Sequence, residues 1–593
     1  MLYHVLYFLD LILHSNQLKL TMDMKKNKLY SLVTTAIVAA SMGLTSCSDW
    51  LDLSPVDYYG AGNFWKTEAQ AIGNLSAQMS QLRGFNFQIN IVYGEIRGGA
   101  YTKQAGGSDG ASLNYQYLRD QNLSQTNYGV ANFGGYWGLI SSVNLFIYNV
   151  EQADYFSSVD TKNYCLGMAY GMRAYYYFLM YRAYGGVPLR LTPDVENGNY
   201  DTSTLYMARS KASETMAQIK SDIDKSLEYF GEQTTFDFNG DSRNAKYYWS
   251  KAATEMLAGE VYLWNSKVSV GDQPATKGDL TTAKTHFQNV VNNYGLSLQD
   301  SFADVFDVNN EQNSEIIFAF DCDETEVSNS IPVNYLYGTV TGYTIGSAYD
   351  NDGNIWDNPI QVSPTQQRYQ FTNAIWYQYD AEDTRRDVTF LPSWHDKEAT
   401  QLRGTFVCKN LGSILESTGY KCYNGDQPIY RLPLAYLSLA EIANMEGNNA
   451  DVEKYVNLIR KRAYGDNWNQ QTYGYTAGSF VENEVAILHE KDKEFVQEGQ
   501  RWYDVCRMSV SPDCGELDHL VFHNEGHIAF GLNITENMKE LSPNKWEEVA
   551  PEEIVVEPIL STDLSYRVLW PLSTSDLSND PSLEQTPGYE MAE

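Results

Sequence analysis

Apolar residues recur along most of this chain at steps of three and four, the 3.6-residue period of a helix, while strict alternation is rare. The pattern predicts helices over 69–82, 137–150, 160–184, 211–230, 250–264, 279–293, 434–445, 451–462 and 481–508. In the third, Leu166, Tyr170, Arg173, Tyr177, Met180 and Tyr184 form one stripe. Ala169, Met172, Tyr176, Leu179 and Ala183 form the stripe beside it. A helix apolar over that much of its girth must be largely buried, so Arg173 needs an internal ion-pair partner. Gly185-Gly186-Val187-Pro188 stops it, with Gly past the last turn and Pro beyond. Several helices come as pairs separated by short breaks, which implies tetratricopeptide-like packing without a clean repeat. Tracts rich in Gly, Asn and Tyr lie between them at 83–136, 321–380 and 509–560. Loops this long are functional or carry small strands. The expected fold is therefore mainly α, with helix pairs and long irregular insertions containing small strands.

Composition narrows the function. With 43% hydrophobic and 13% aromatic residues, the 593-residue chain has the material for a core, which excludes wholesale disorder. The 42 basic and 75 acidic residues leave a net charge of −33. Such a surface repels phosphate backbones and excludes general nucleic-acid binding. Tyrosine is the outlier at 45 residues. Its flat apolar face and hydroxyl suit wet, polar, ring-shaped ligands as well as cores.

Residues 1–23 fit neither a signal nor a fold and read as an over-extended start ahead of Met22 or Met24. Residues 24–46 read as an export signal, with Lys25, Lys26 and Lys28 ahead of a short apolar run. Leu44-Thr45-Ser46-Cys47 resembles a lipobox, which makes Cys47 the expected lipidation site. Export permits disulfides, and Cys408/Cys422 and Cys506/Cys514 are close enough in sequence to consider.

Sharper chemical readings of the remaining motifs fail. Glu494 and Glu498 fall one turn apart on the expected helix, near the separation of a retaining glycosidase pair. Two acids on one helix cannot flank a bond from opposite faces, and Arg501 would hold Glu498 ionised. A structural ion-pair network is the better reading, with no catalytic residue and no enzyme. His519, His523 and His527 recur every fourth residue, but Asn524 and Gly526 interrupt them, so solvated loop histidines are preferred to a metal site. Asp350-Asn351-Asp352-Gly353-Asn354 places Gly fourth and lacks the closing Glu of a calcium loop. It reads as an Asx turn, the alternative being an irregular structural calcium site. Gly98-Gly99 and Gly106-Gly107-Ser108-Asp109-Gly110 match no phosphate loop and read as mobile.

Five stretches together resemble the SusD/RagB family of nutrient-binding lipoproteins. They are Cys47 with Trp50-Leu51-Asp52, Pro55 and Phe64-Trp65; Arg173 to Phe178 leading to Tyr184-Gly185-Gly186-Val187-Pro188; Arg431 through Glu441, then Asn457, Arg460 and Arg462; Glu490, Glu494-Phe495, Glu498-Gly499, Arg501, Asp504 and Arg507; and Pro571, Asn579, Pro581 and Gln585-Thr586-Pro587-Gly588-Tyr589. Lys491 and Thr586 depart from the family's usual Arg and Asn. The resemblance implies two helical regions, 47–300 and 301–593, packed as one globular unit. It also implies a lipid anchor on the outer membrane facing outward, and a SusC-like TonB-dependent transporter as partner. The expected function is capture of oligosaccharides for delivery to that transporter. Peptide capture is the alternative, and a secreted glycoside hydrolase a weaker one.

A sugar site needs exposed flat aromatics beside hydrogen-bonding groups. Two loop tracts meet this in sequence. One holds Arg97, Tyr101, Asn114, Tyr115 and Tyr117; the other holds Tyr335, Tyr337, Tyr343, Tyr349, Asp350, Asn351 and Trp356. Trp356, flanked by Asp352, Asn354 and Asp357, is the expected stacking platform, with Tyr101 and Tyr337 extending the arc.

Overall fold

Helices are the main regular structure in the computed structural model, which describes residues 64–101, 110–129, 133–193, 205–238, 241–242, 245–337, 344–363, 367–508, 538–542, 545–548, 560 and 562–589. The N-terminal half holds α1 (Glu68–Gly94), α2 (Gly110–Arg119), α3 (Phe133–Glu151), α4 (Val159–Tyr184), α5 (Ala212–Phe230), α6 (Lys251–Lys267) and α7 (Asp279–Asn293). After strand β1 (Ile316–Phe320) come α8 (Asn373–Tyr377), β2 (Phe390–Trp394), β3 (Leu402–Val407) and β4 (Gln427–Arg431). Then follow α9 (Leu432–Met445), α10 (Asn449–Tyr464), α11 (Phe480–Glu494), α12 (Arg501–Met508) and the short α13 (Thr574–Asn579). Consecutive helices pack in pairs, α4 on α5, α6 on α7 and α9 on α10. Among the described residues the strands form two-stranded pieces, including β1 with β4 and the β2–β3 hairpin. This is the mainly helical fold with small strand insertions that the periodicity predicts. From Thr67 onward the described residues belong to one compact unit.

Local chemistry sets the boundaries. Thr67 opens α1 with a capping box, its hydroxyl accepting from the Gln70 N–H while the Gln70 side chain accepts from the Thr67 N–H. The helix then continues to Gly94, through residues expected in a loop. Ile91, Val92 and Tyr93 are buried there and give that last stretch its helical anchor. α4 is buried from Tyr164 to Tyr184, as its double stripe requires. Arg173 has the expected internal partner. Its Nε and Nη2 donate to both Asp222 carboxylate oxygens at 2.8 and 2.7 Å, and Nη1 donates to Asn144 Oδ1 at 2.9 Å.

The helix expected over 481–508 is broken. α11 ends at Glu494 and α12 begins at Arg501. Between them Gln497 and Gly499 take left-handed backbone, φ 65° and 72°. The turn carries the Gly499 carbonyl onto α1, where a Cβ on Gly94 would lie 1.6 Å from its oxygen. Only glycine allows that approach of two main chains. Gly98 is likewise buried, and a Cβ there would lie 2.7 Å from Arg501 Cγ.

The core beneath these turns is ionic. Arg431 meets Glu315, Glu494 and Glu498; Arg462 joins Glu315 to Glu494; Arg385 joins Asp383, Glu490 and Glu494; and Lys409 holds Glu498 at 2.6 Å. A second knot joins Lys267 to Glu441 and Glu484, both at 3.1 Å, and links Glu441 to Lys491 and Arg507. Glu494 and Glu498 are thus ion-pair members rather than a catalytic dyad, and Arg501 pairs with Asp492 instead of Glu498. Burial raises Glu494, but Arg462, Arg431 and Arg385 outweigh it and hold the carboxyl well below its usual range.

Other expectations resolve locally. Cys408, Cys422 and Cys506 are free thiols, so Cys408 and Cys422 are not bridged. Asp350 Oδ1 accepts from the Asp352 and Asn354 N–H groups at 2.9 and 2.8 Å, the expected Asx turn. Cys47, residues 1–46, residues 106–109, Cys514 and the three loop histidines lie outside the described residues.

Glu95, just past α1, provides a pH test. Its carboxyl is fully buried and accepts from the Gln497 N–H at 2.9 Å. Burial pushes it from 4.5 up to about 8, against that hydrogen bond and the Lys409 charge. An acid with a raised folded pKa keeps its proton longer when folded, so it costs stability as pH rises from about 4.5 to 8. Glu95→Gln removes that titration. The variant's melting temperature relative to wild type should climb between pH 5 and pH 9. A difference that stays constant across that range would show that Glu95 does not titrate there.

Candidate functional site

The expected aromatic residues divide into two buried clusters and one surface strip. Tyr101, Tyr115 and Tyr335 pack with Tyr369 and Phe371, and the Tyr101 and Tyr335 hydroxyls share a hydrogen bond at 2.8 Å. All three are buried, as is Arg97. The Arg97 guanidinium sits 4.4 and 4.8 Å from the Trp502 and Trp570 rings. Its N–H groups bind the Arg567 and Leu569 carbonyls at 2.6 and 3.1 Å, fastening the C-terminal segment.

Trp356 corrects the main expectation. It is 2% exposed, edge-on to Tyr337 at 4.8 Å and beside Phe406 at 5.3 Å. The backbone alternates there: Ile355 is 58% exposed and Asp357 is exposed, so the side chain between them turns inward. Polar neighbours therefore mark the opposite face of the segment, not the exposure of Trp356. Tyr337 is buried with it, its hydroxyl bonded to Asn358 Oδ1 at 2.6 Å. As placed, neither ring offers a face to a ligand in solvent. Asn114 and Tyr117 are half-buried, and Tyr343 lies outside the described residues.

Tyr349, Asp350 and Asn351 remain at the surface and acquire partners that the sequence did not single out. The Tyr349 backbone pairs with Trp394 through N–H···O bonds of 3.0 and 2.9 Å. The Trp394 indole N–H donates to Asn351 Oδ1 at 2.7 Å, which orients the amide. Trp376 of α8 stands edge-on to Trp394 at 5.8 Å and to Tyr377 at 5.0 Å. Tyr377 is 43% exposed, and Tyr349 and Trp376 are half-buried. Cations bracket the strip: Lys397 lies 6.0 Å from the Tyr349 ring and Arg386 lies 5.2 Å from Trp376. Arg403 donates to the Ser347 carbonyl and hydroxyl at 3.1 and 3.0 Å, tying the β2–β3 hairpin to the 344–358 loop.

The strip offers flat apolar faces, one oriented amide, the Asp350 carboxylate and nearby cationic donors. Such a set can stack on a sugar ring and hydrogen-bond its hydroxyls. It holds no nucleophile next to a base. Among the described residues, no group of three His, Cys, Asp or Glu could hold a metal ion. Nothing in the sequence singles out Trp376 and Tyr377, because consecutive aromatics on a helix can all be buried, as Tyr175 to Phe178 of α4 are.

Two family models match the chain, one described as the SusD family over residues 304–589 and one as starch-binding associating with outer membrane over residues 49–261. A SusD superfamily protein of Bacteroides fragilis is 43% identical, with a TM-score of 0.76 covering 89% of this chain and 100% of that one. NanU of B. fragilis is 30% identical, with a TM-score of 0.71 covering 91% and 100%. A SusD-like protein of Bacteroides ovatus is 24% identical over 601 residues, 95% of this chain and 98% of that one. From the N-terminal helices to the closing Gln-Thr-Pro-Gly-Tyr, the chain belongs to the SusD family.

Proposed function

We propose that this protein is a surface lipoprotein that captures oligosaccharides and delivers them to a SusC-like TonB-dependent transporter. Family membership gives the coarse part of the reading, a glycan- or nutrient-binding role at the outer membrane. The observation that carries the finer part is the surface strip in which exposed Tyr377 and Asn351 stand beside half-buried Tyr349 and Trp376. Glu494 and Glu498, the acid pair weighed as a glycosidase dyad, are sealed in salt bridges, which favours binding over hydrolysis. Incubation with purified plant and host glycans tests the choice. Depletion of a glycan without new reducing ends supports capture, and new reducing ends would make the protein a hydrolase.

The anchor in this reading is Cys47. Among the described residues no helix is long and apolar enough to cross a membrane. Each buried acyl methylene contributes about 0.8 kcal/mol, so two or more chains hold a protein stably. Cys47→Ala should move the protein from the membrane fraction to the soluble one. Recovery in the membrane fraction at the wild-type level would count against the anchor.

A further inference from the structure

A cleft that shares no residue with the aromatic strip lies between α3, the chain at Arg190 and Leu205–Tyr206, and α13 near the C-terminus. Its volume of about 410 Å³ is that of a small-ligand pocket. Two aromatic rings face it. Tyr206 is 41% exposed, and Trp137 is half-buried with its ring held edge-on by Phe133 at 5.3 Å. The Arg190 guanidinium stands 5.8 Å from the Trp137 ring and donates to the Leu205 carbonyl. The Arg190 carbonyl is itself fixed by Asn144 Nδ2 at 2.9 Å and the Tyr177 hydroxyl at 2.7 Å, so this wall is braced from the core.

The opposite wall carries acceptors. Asp580 Oδ2 accepts from the Met207 N–H at 3.0 Å, and Asp576 Oδ2 accepts from the Ser573 hydroxyl at 2.6 Å. A carboxylate has about four acceptor positions, so capacity remains on both. Asp576 Oδ1 lies across from Gly134 of α3, at ordinary contact distance, 3.6 Å, from where a Cβ would stand. Asn579 adds an exposed amide.

Flat rings, carboxylates able to accept from paired hydroxyls, and one guanidinium donor are the groups that recognise a pyranose. Two carboxylates against one cation, on a chain of net charge −33, disfavour acidic sugars. We infer that this cleft is a second saccharide site, taking a neutral oligosaccharide with one ring against Trp137 and Tyr206. The inference does not depend on the aromatic strip being a binding site.

The test uses the full chain labelled with fluorotryptophan, with the Trp137 fluorine resonance identified by its loss in Trp137→Phe. Probes are the hexaoses of maltose, xylose, mannose and N-acetylglucosamine, with sialyllactose and a galacturonate trimer as acidic counterparts. At least one neutral probe should shift Trp137, and Tyr206→Ala should weaken that response about tenfold or more with an unchanged melting temperature. Tyr377→Ala, in the strip, should leave it unaltered, which keeps failure of this cleft separate from failure of the strip. The inference is overturned if no neutral probe moves Trp137 at about 10 mM. It is also overturned if a folded Tyr206→Ala responds as wild type, or if the acidic probes bind as tightly as the neutral ones.

Discussion

Arg431→Met should destabilise the protein by about 5 kcal/mol, the upper end of the range for removing one partner of a buried ion pair. All five N–H donors of this guanidinium are used: Nε to Glu498 Oε2 at 2.7 Å, Nη1 to Glu315 and Glu494 at 2.8 and 2.9 Å, and Nη2 to the Glu494 carbonyl and Glu498 Oε1, both at 2.9 Å. The residue is 1% exposed and ringed by Phe302, Phe306 and Phe495. Met is close in volume but leaves three buried carboxylates short of a cation. Arg462, Arg385 and Lys409 retain part of the compensation, so the expected result is a large loss rather than a predetermined collapse. Urea unfolding measures it. A loss below about 1 kcal/mol would mean that the remaining three cations already neutralise the site.

Lys267→Met comes next, at about 3–5 kcal/mol. Lys267 is fully buried and bridges Glu441 and Glu484 at 3.1 Å each. The two acids differ in what remains. Burial raises Glu441, but Arg507, Lys267 and Lys491 outweigh it and hold the carboxyl below its usual range. For Glu484 burial wins over Lys267 and the carboxyl is held high. Without Lys267, Glu484 keeps only a neutral hydrogen bond from Asn444 Nδ2 at 2.8 Å. Glu484→Gln in the Lys267→Met background should therefore recover roughly half the lost stability, because it deletes the charge left without a counter-ion. Failure of the second change to restore anything would place the cost in packing rather than charge.

The parts of the fold visible in sequence were those governed by local periodicity. The double stripe of α4 requires burial wherever the helix lies, and Arg173 within it therefore needs a partner such as Asp222. The break at 495–500 was hidden because the apolar pattern runs through it. What bends the chain is the close approach of Gly499 to Gly94, separated by most of the sequence. The exposure expected of Trp356 failed for a related reason. Local polarity around Trp356 gave no information about which face met the core, and extended backbone turned Trp356 inward between exposed neighbours. Tyr349 and Asn351 were legible as loop residues, but Trp394 reaches them only through the β2–β3 hairpin, a pairing that periodicity cannot reveal.

Glycan capture by the strip is tested most directly by calorimetry on Tyr377→Ala. A glycan array first names the tightest ligand of the wild-type protein, and melting temperature confirms that the variant is folded. Removing one stacking ring should cost about 1–3 kcal/mol, a tenfold to hundredfold loss of affinity. Tyr377 is exposed, so its melting temperature should match wild type. An affinity reduced at least tenfold at unchanged stability is the predicted result; wild-type affinity in a normally folded Tyr377→Ala protein would contradict the assignment of this strip.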